Sequence, residues 1–92
     1  MEIGAGTGRL VPIIKCFAAE VDVLDTNQEY IDFINKRHPG LVSNSYCKDA
    51  LHLDQIPKKY DVIIVCGVAQ YFNDKAFNLF LAKVRDRLNE GG

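Results

Sequence analysis

Ninety-two residues, 48% of them hydrophobic and 25% charged, suffice for one α/β domain or part of one, without the bias of disordered, collagen-like or low-complexity chains. The net charge of -1, with no dense Lys/Arg stripe, argues against a nucleic-acid partner, and no apolar run approaches the roughly 18 residues of a membrane-spanning helix. Cys16, Cys47 and Cys66 are odd in number, widely spaced and free of any C-x-x-C pair. Neither a disulfide framework nor a metal site is therefore expected, and the expected setting is reducing and cytoplasmic.

The first nine residues, Met1 to Arg9, read as the last step of a strand that turns through Gly4, Gly6 and Gly8 into a helix. Glycines at alternate positions remove Cβ atoms where the backbone turns sharply and let main-chain N–H groups approach a bulky ligand. The helix N-terminus that follows favours a carboxylate-bearing ligand. A dinucleotide fingerprint would need a third glycine at position 9, where this chain has Arg9. Leu10, Val11, Ile13, Ile14, Phe17 and Ala18 then share a broad helical face, with Pro12 tolerable only near the first turn, so a helix is predicted from close to Gly8.

Val21 to Asp25 has the composition of a short strand and ends on an acid. Thr26-Asn27-Gln28-Glu29 has the form of a capping box, after which Tyr30, Ile31, Phe33 and Ile34 supply the buried face of a second helix that Pro39-Gly40 ends. A third strand is expected within 41–47, then Lys48-Asp49-Ala50 and a looser stretch to Lys59 with room for a short helical turn. Tyr60 to Cys66 is a continuous β-branched run of the kind buried on both faces of a parallel sheet, and a central place is expected for it. Asn73-Asp74 caps a last helix in which Phe77, Phe80, Leu81, Val84 and Leu88 recur at helical spacing, Phe77 and Phe80 being read as core. His38 and His52 are isolated and are read as a helix-end cation and a surface or half-buried side chain.

Strands alternating with helices predict right-handed βαβ crossovers and a doubly wound parallel sheet, with ligands above the carboxyl ends of the strands. Only three residues precede the glycine turn and the chain closes on Glu90-Gly91-Gly92, so residues 1–92 are expected to form a single domain truncated from a larger sheet, without a signal peptide. In that reading Tyr60 to Cys66 becomes an uncharged apolar edge, through which the chain should self-associate.

Glu2 followed by Gly4-x-Gly6-x-Gly8, with Asp25 closing the next strand, resembles the first motifs of class I S-adenosylmethionine (SAM) dependent methyltransferases. The resemblance covers nearly the whole chain and implies a Rossmann-like sheet of spatial order 3-2-1-4 with SAM as cofactor. It implies that Asp25 accepts the ribose hydroxyl protons, that Thr26 and Asn27 flank the adenine, and that Asp49-Ala50 meet its edge. Arg9 would pair with the methionyl carboxylate, the Cys66 carbonyl would take the cofactor's ammonium, and Gln70 and Tyr71 would orient the acceptor, either a small molecule or a protein. The loop after the fourth strand lacks the Asn/Asp-Pro-Pro-aromatic motif used on planar nitrogens. Residues 21–25 and 74–85 are also similar to protein N-terminal α-amine methyltransferases, without the residues that carry their peptide specificity. Two rival readings are an NAD domain, which Arg9 disfavours, and a non-catalytic nucleotide-binding or interaction module.

Overall fold

The computed structural model describes residues 1–92. Four parallel strands form one sheet in the order β3-β2-β1-β4: β1 is Glu2–Ile3, β2 Asp22–Asp25, β3 Asn44–Cys47 and β4 Ile64–Val65. In register, Glu2 lies beside Val23 on one side and Ile64 on the other. Helices occupy both faces: α1 (Val11–Lys15) and α2 (Gln28–Arg37) on one, α3 (Asp74–Arg87) on the other. The expected α/β class and strand order are both present.

Two cores follow from this layering. Alternate residues of a strand point to opposite faces. On β2, Val23 accordingly joins Ala5, Val11, Val21 and Ile34 beneath α1 and α2, while Leu24 joins Ile3, Leu53, Ile56 and Phe80 beneath α3. A 3₁₀ segment, Ala50–Gln55, supplies Leu53 to the second core and is packed by α3, whose Lys83 Nζ lies 2.8 Å from the Asp54 carboxylate. Phe80 is buried, whereas Phe77, read as core, is only partly covered.

Several boundaries differ from the sequence reading for identifiable reasons. Helix α1 begins at Val11 rather than near Gly8, because residues 8–10 are used in the turn and Pro12 has no N–H to extend the helix backwards. It is also short, and Phe17 is 88% exposed instead of buried. The cap of α2 is Asn27, whose Oδ1 accepts from the Glu29 N–H at 2.9 Å, so the Thr26 capping box does not form. Only Ile31 and Ile34 of that helix are buried; Tyr30 and Phe33 stand outside the stripe that meets the sheet.

The fourth strand stands at the sheet edge, where the order 3-2-1-4 places it in this chain. Its ladder is brief, running through Ile64 N–H to Met1 O at 2.8 Å and Cys66 N–H to Ile3 O at 3.2 Å. Tyr60 pairs instead with the segment leaving α3: its N–H donates to Arg87 O and its carbonyl accepts from Asn89 N–H, both at 2.8 Å. Val62 and Ile64 line a shallow depression with Ile14 and Phe17, where no helix covers the sheet, so the run is not buried on both faces. No helix is long and apolar enough to cross a membrane.

Candidate functional site

The carboxyl ends of the strands surround a cavity of about 550 Å³, bounded by the glycine turn, the end of β2, the residues after β3 and the loop after β4. Gly4, Gly6 and Gly8 have φ of +76°, +58° and +78°, in the left-handed region that disfavours a side chain. Their surroundings separate their roles. A Cβ on Gly4 would lie 2.5 Å from the Cys66 carbonyl oxygen, and one on Gly8 would lie 2.6 Å from Ile34 Cγ1, so these two glycines allow the turn to nest against its neighbours. A Cβ on Gly6 would meet nothing within 4 Å. Gly6 lines the cavity, and the space there is available to a ligand.

Asp25 is fixed more firmly than the sequence suggests. Its Oδ2 accepts from the Gly6 N–H and its Oδ1 from the Asn27 N–H, both at 2.9 Å. The carboxylate thus ties the glycine turn to the start of α2. An ionised carboxylate has about four acceptor positions. Two are occupied and two remain, on a residue that lines the cavity. Asp49 is oriented in a similar way, accepting from the Leu51 N–H at 2.8 Å as cap of the 3₁₀ segment.

Of the residues singled out in the sequence, Gly4, Gly6, Asp25, Thr26, Asn27, Asp49, Ala50, Cys66 and Tyr71 all border this cavity. Glu2, Gly8, Arg9 and Gln70 do not. Gly8 is buried against Ile34, and Arg9 lines a separate depression beyond the turn. Glu2 is 2% exposed, on the β1 residue next to the turn, and its Oε1 has no hydrogen-bond partner. Burial raises its pKa above the usual glutamate value, opposed by the Met1 ammonium and Arg9 and reinforced by Asp25. Tyr71 stands at the mouth, 79% exposed, in a short 3₁₀ turn.

The sequence reading missed the apolar part of the wall, Ile3, Leu24, Val68 and Phe72, together with Tyr30. Tyr30 was assigned to the buried face of α2. Its position three residues after Asn27 places both on the same side of the helix start, the signal that could have found it. The result is a half-apolar slot lined by the glycine turn and by two acids, Asp25 and Asp49. Such a slot suits a nucleoside: ring faces against apolar walls, a vicinal diol at an anchored acid.

Comparison with known proteins agrees with this geometry. The family model described as "Methyltransferase domain" matches residues 1–92. The chain belongs to that family, the class I SAM-dependent methyltransferases. It is 27% identical over 97 residues to malonyl-[acyl-carrier protein] O-methyltransferase of Chlorobium luteolum, covering 100% of this chain and 36% of that protein. A SAM-dependent methyltransferase from Clostridium acetobutylicum superposes with a TM-score of 0.87 at 24% identity, covering 99% of this chain and 38% of that one. The complex of DhpI with S-adenosylhomocysteine (SAH) gives 0.80 at 25% identity, with 99% and 44% covered. The chain thus spans well under half the length of these proteins.

Proposed function

We propose that this chain is the cofactor-binding half of a SAM-dependent methyltransferase. The observation that carries the reading is Asp25, held by the Gly6 and Asn27 amides yet with acceptor positions free toward an open cavity. Asp25 would take the ribose hydroxyls, Thr26 and Asn27 would flank the adenine, and Asp49 with Ala50 would meet its edge. The methionine end would point toward Cys66, whose carbonyl is the acceptor for its ammonium. Glu2, Gly8 and Arg9 belong to the same motif without bordering the cavity, Glu2 and Gly8 acting through the turn they support.

SAM supplies an electrophilic methyl on a positively charged sulfur, so an attacking lone pair forms the new bond as the sulfur–carbon bond breaks. What remains for the protein is alignment of the two reactants, exclusion of water and removal of a proton from a neutral nucleophile. Alignment is assigned to the cavity wall and, at its mouth, to Tyr71 and the neighbouring Gln70. The acceptor, a small molecule or a group on a protein, approaches from that open side. The relatives include both an O-methyltransferase acting on an acyl-carrier protein and a phosphoethanolamine N-methyltransferase, so oxygen and nitrogen acceptors both stand, the α-amine of the partial sequence resemblance among them.

Calorimetric titration of the intact protein with SAM, SAH and NAD tests the reading. Saturable binding of the first two and none of the third is expected. Binding of NAD in preference would replace the methyltransferase reading with a dinucleotide one, and binding of neither would leave an interaction module.

A further inference from the structure

On the outer side of the glycine turn, away from the cofactor cavity, Thr7, Arg9, Phe33, Arg37 and His38 enclose a second depression of about 330 Å³. No carboxylate lines it. The side chains of Arg9, Arg37 and His38 make no hydrogen bond, and neither arginine makes a salt bridge, whereas Lys58 and Lys83 are both paired with acids. Of the acids on α2, Asp32 accepts from Gln28 at 2.9 Å and Glu29 lies in the first turn, away from the Arg37 end. A chain of net charge -1 therefore gathers in one hollow two arginines without a salt bridge. Arg9 is near enough to the buried Glu2 to oppose its raised pKa, and Arg37 is free of such a neighbour on its own helix.

The Arg37 guanidinium is also restrained. Its carbon lies 6.0 Å from the centroid of the Phe33 ring, one helical turn earlier. A contact at this distance attracts the guanidinium to the ring face and uses none of its N–H donors. The C-terminal end of α2 opposes an anion with about half a unit charge. Two full guanidinium charges outweigh it.

We propose that this hollow binds a phosphate-type oxyanion, the ligand class that planar N–H forks, an imidazole N–H and a hydroxyl together satisfy. The site is separate from the cofactor cavity and shares no lining residue with it. It reaches the cofactor turn only through Thr7 and Arg9, which flank Gly8. An anion held there would sit against the outer wall of the turn whose inner wall faces the cavity.

The test is equilibrium dialysis of the intact protein at low ionic strength with inorganic phosphate and, separately, glycerol phosphate. Saturable binding of at least one is expected, and tighter binding of glycerol phosphate would assign the site to phosphate monoesters rather than free phosphate. Arg37→Ala should weaken binding by at least about tenfold, the factor that about 1.4 kcal/mol represents, and Arg37→Lys should restore part of it. Thr7→Val, which leaves the charges in place, should weaken it about threefold, as for loss of one neutral hydrogen bond. SAM affinity, read on the same samples, should be unchanged by Arg37→Ala, which also reports that the variant is folded. Binding of neither anion, or equal anion affinity in wild type, Arg37→Ala and Thr7→Val, overturns the proposal. Absence of SAM binding by the wild-type protein, with anion binding and its loss in Arg37→Ala as expected, would instead count against the cofactor reading alone.

Discussion

Asp22 and Asp25 stand at opposite ends of the same strand and do opposite work. Asp22, 1% exposed at the amino end of β2, is satisfied by side chains: the Tyr60 hydroxyl donates to Oδ2 at 2.5 Å, Asn44 Nδ2 to Oδ1 at 3.2 Å, and Lys58 Nζ lies 3.4 Å from Oδ2. These partners come from β3 and from the approach to β4, so one carboxylate gathers three parts of the chain. Burial, then the hydrogen bond to Asp22, raises the Tyr60 phenol above its usual pKa, and the phenol stays a donor. Asp25, at the carboxyl end, is held by backbone amides and keeps acceptor capacity toward a cavity. A buried acid with its lone pairs met by side chains holds the fold, while one anchored from behind and open in front can hold a ligand.

The largest expected effect is on stability, at the closed end. Asp22→Ala leaves the Tyr60 hydroxyl and the Asn44 amide without their acceptor and Lys58 with only Glu20, which it meets at 2.9 Å near the surface. Each polar group left without its acceptor costs about 1 to 3 kcal/mol where it is buried, as the Tyr60 hydroxyl is. Urea denaturation of the intact protein should show a loss of that order, with SAM affinity of the remaining folded fraction unchanged. A loss under about 1 kcal/mol would mean that the cluster is hydrated and the contrast between the two aspartates is one of position only.

At the open end the effect moves from folding to binding. Asp25→Ala should weaken SAM binding by about 1.5 to 3 kcal/mol, the range for hydrogen bonds to a charged group. Calorimetry that found unchanged affinity would reduce Asp25 to a staple for the turn. Gly6→Val tests the same wall from the other side: its branched side chain would enter space that is empty now, at a φ of +58° that a β-branched residue resists. Its affinity loss should exceed that of Asp25→Ala.

These contrasts also mark how far the sequence could be read. Asp25 was legible because a strand-end acid after a glycine turn is a pattern with a mechanism, and the sheet order came with the resemblance that pattern carries. The acid's grip on Gly6 and Asn27 was not legible, since it depends on the approach of two backbone amides that no side-chain pattern records. Asp22 was invisible for a related reason: Tyr60, Asn44 and Lys58 lie 22 to 38 residues away in sequence. Helix α2 illustrates the local case. The capping box points to Thr26 as the cap, and Asn27 takes the role, its own N–H held by Asp25 and its Oδ1 accepting from Glu29. The β-branched run of Tyr60 to Cys66 points to a strand, and the strand order puts it at the edge, but burial on both faces requires covering elements that composition cannot supply, and Val62 stays exposed.

Glu2, paired with Val23 across the ladder, lies between the two aspartates in place and has the next smaller effect. Its pKa is raised, chiefly by burial. A carboxyl with a higher pKa folded than unfolded binds more protons in the folded state between the two values, so stability falls as pH rises through that window. The window opens at the ordinary glutamate value of 4.5 and extends upward from it. Glu2→Gln should flatten this slope and stabilise the protein above the window, by thermal melts at a series of pH values. A wild-type stability that instead rose with pH across that range, with the same slope in Glu2→Gln, would show that Glu2 ionises freely.

The smallest stability effect, and the sharpest separation of binding from chemistry, is expected at Tyr71. It lines the cavity mouth while 79% exposed, so little packing is lost when it is removed. Surface truncations of this kind lie within about 0.5 kcal/mol. If its ring orients the acceptor, Tyr71→Ala should lower turnover of the intact enzyme more than it lowers SAM affinity, because orientation acts on the transition state and not on the cofactor complex. The pair of readouts distinguishes three cases. Reduced turnover with intact affinity and melting temperature places Tyr71 on the acceptor side of the cavity. Reduced affinity alone would move it to the cofactor wall beside Cys66. Parallel loss of melting temperature and turnover would mean that an exposed aromatic ring is packed in the intact protein, and the open end of the sheet would then be more enclosed than the cavity around Asp25 implies.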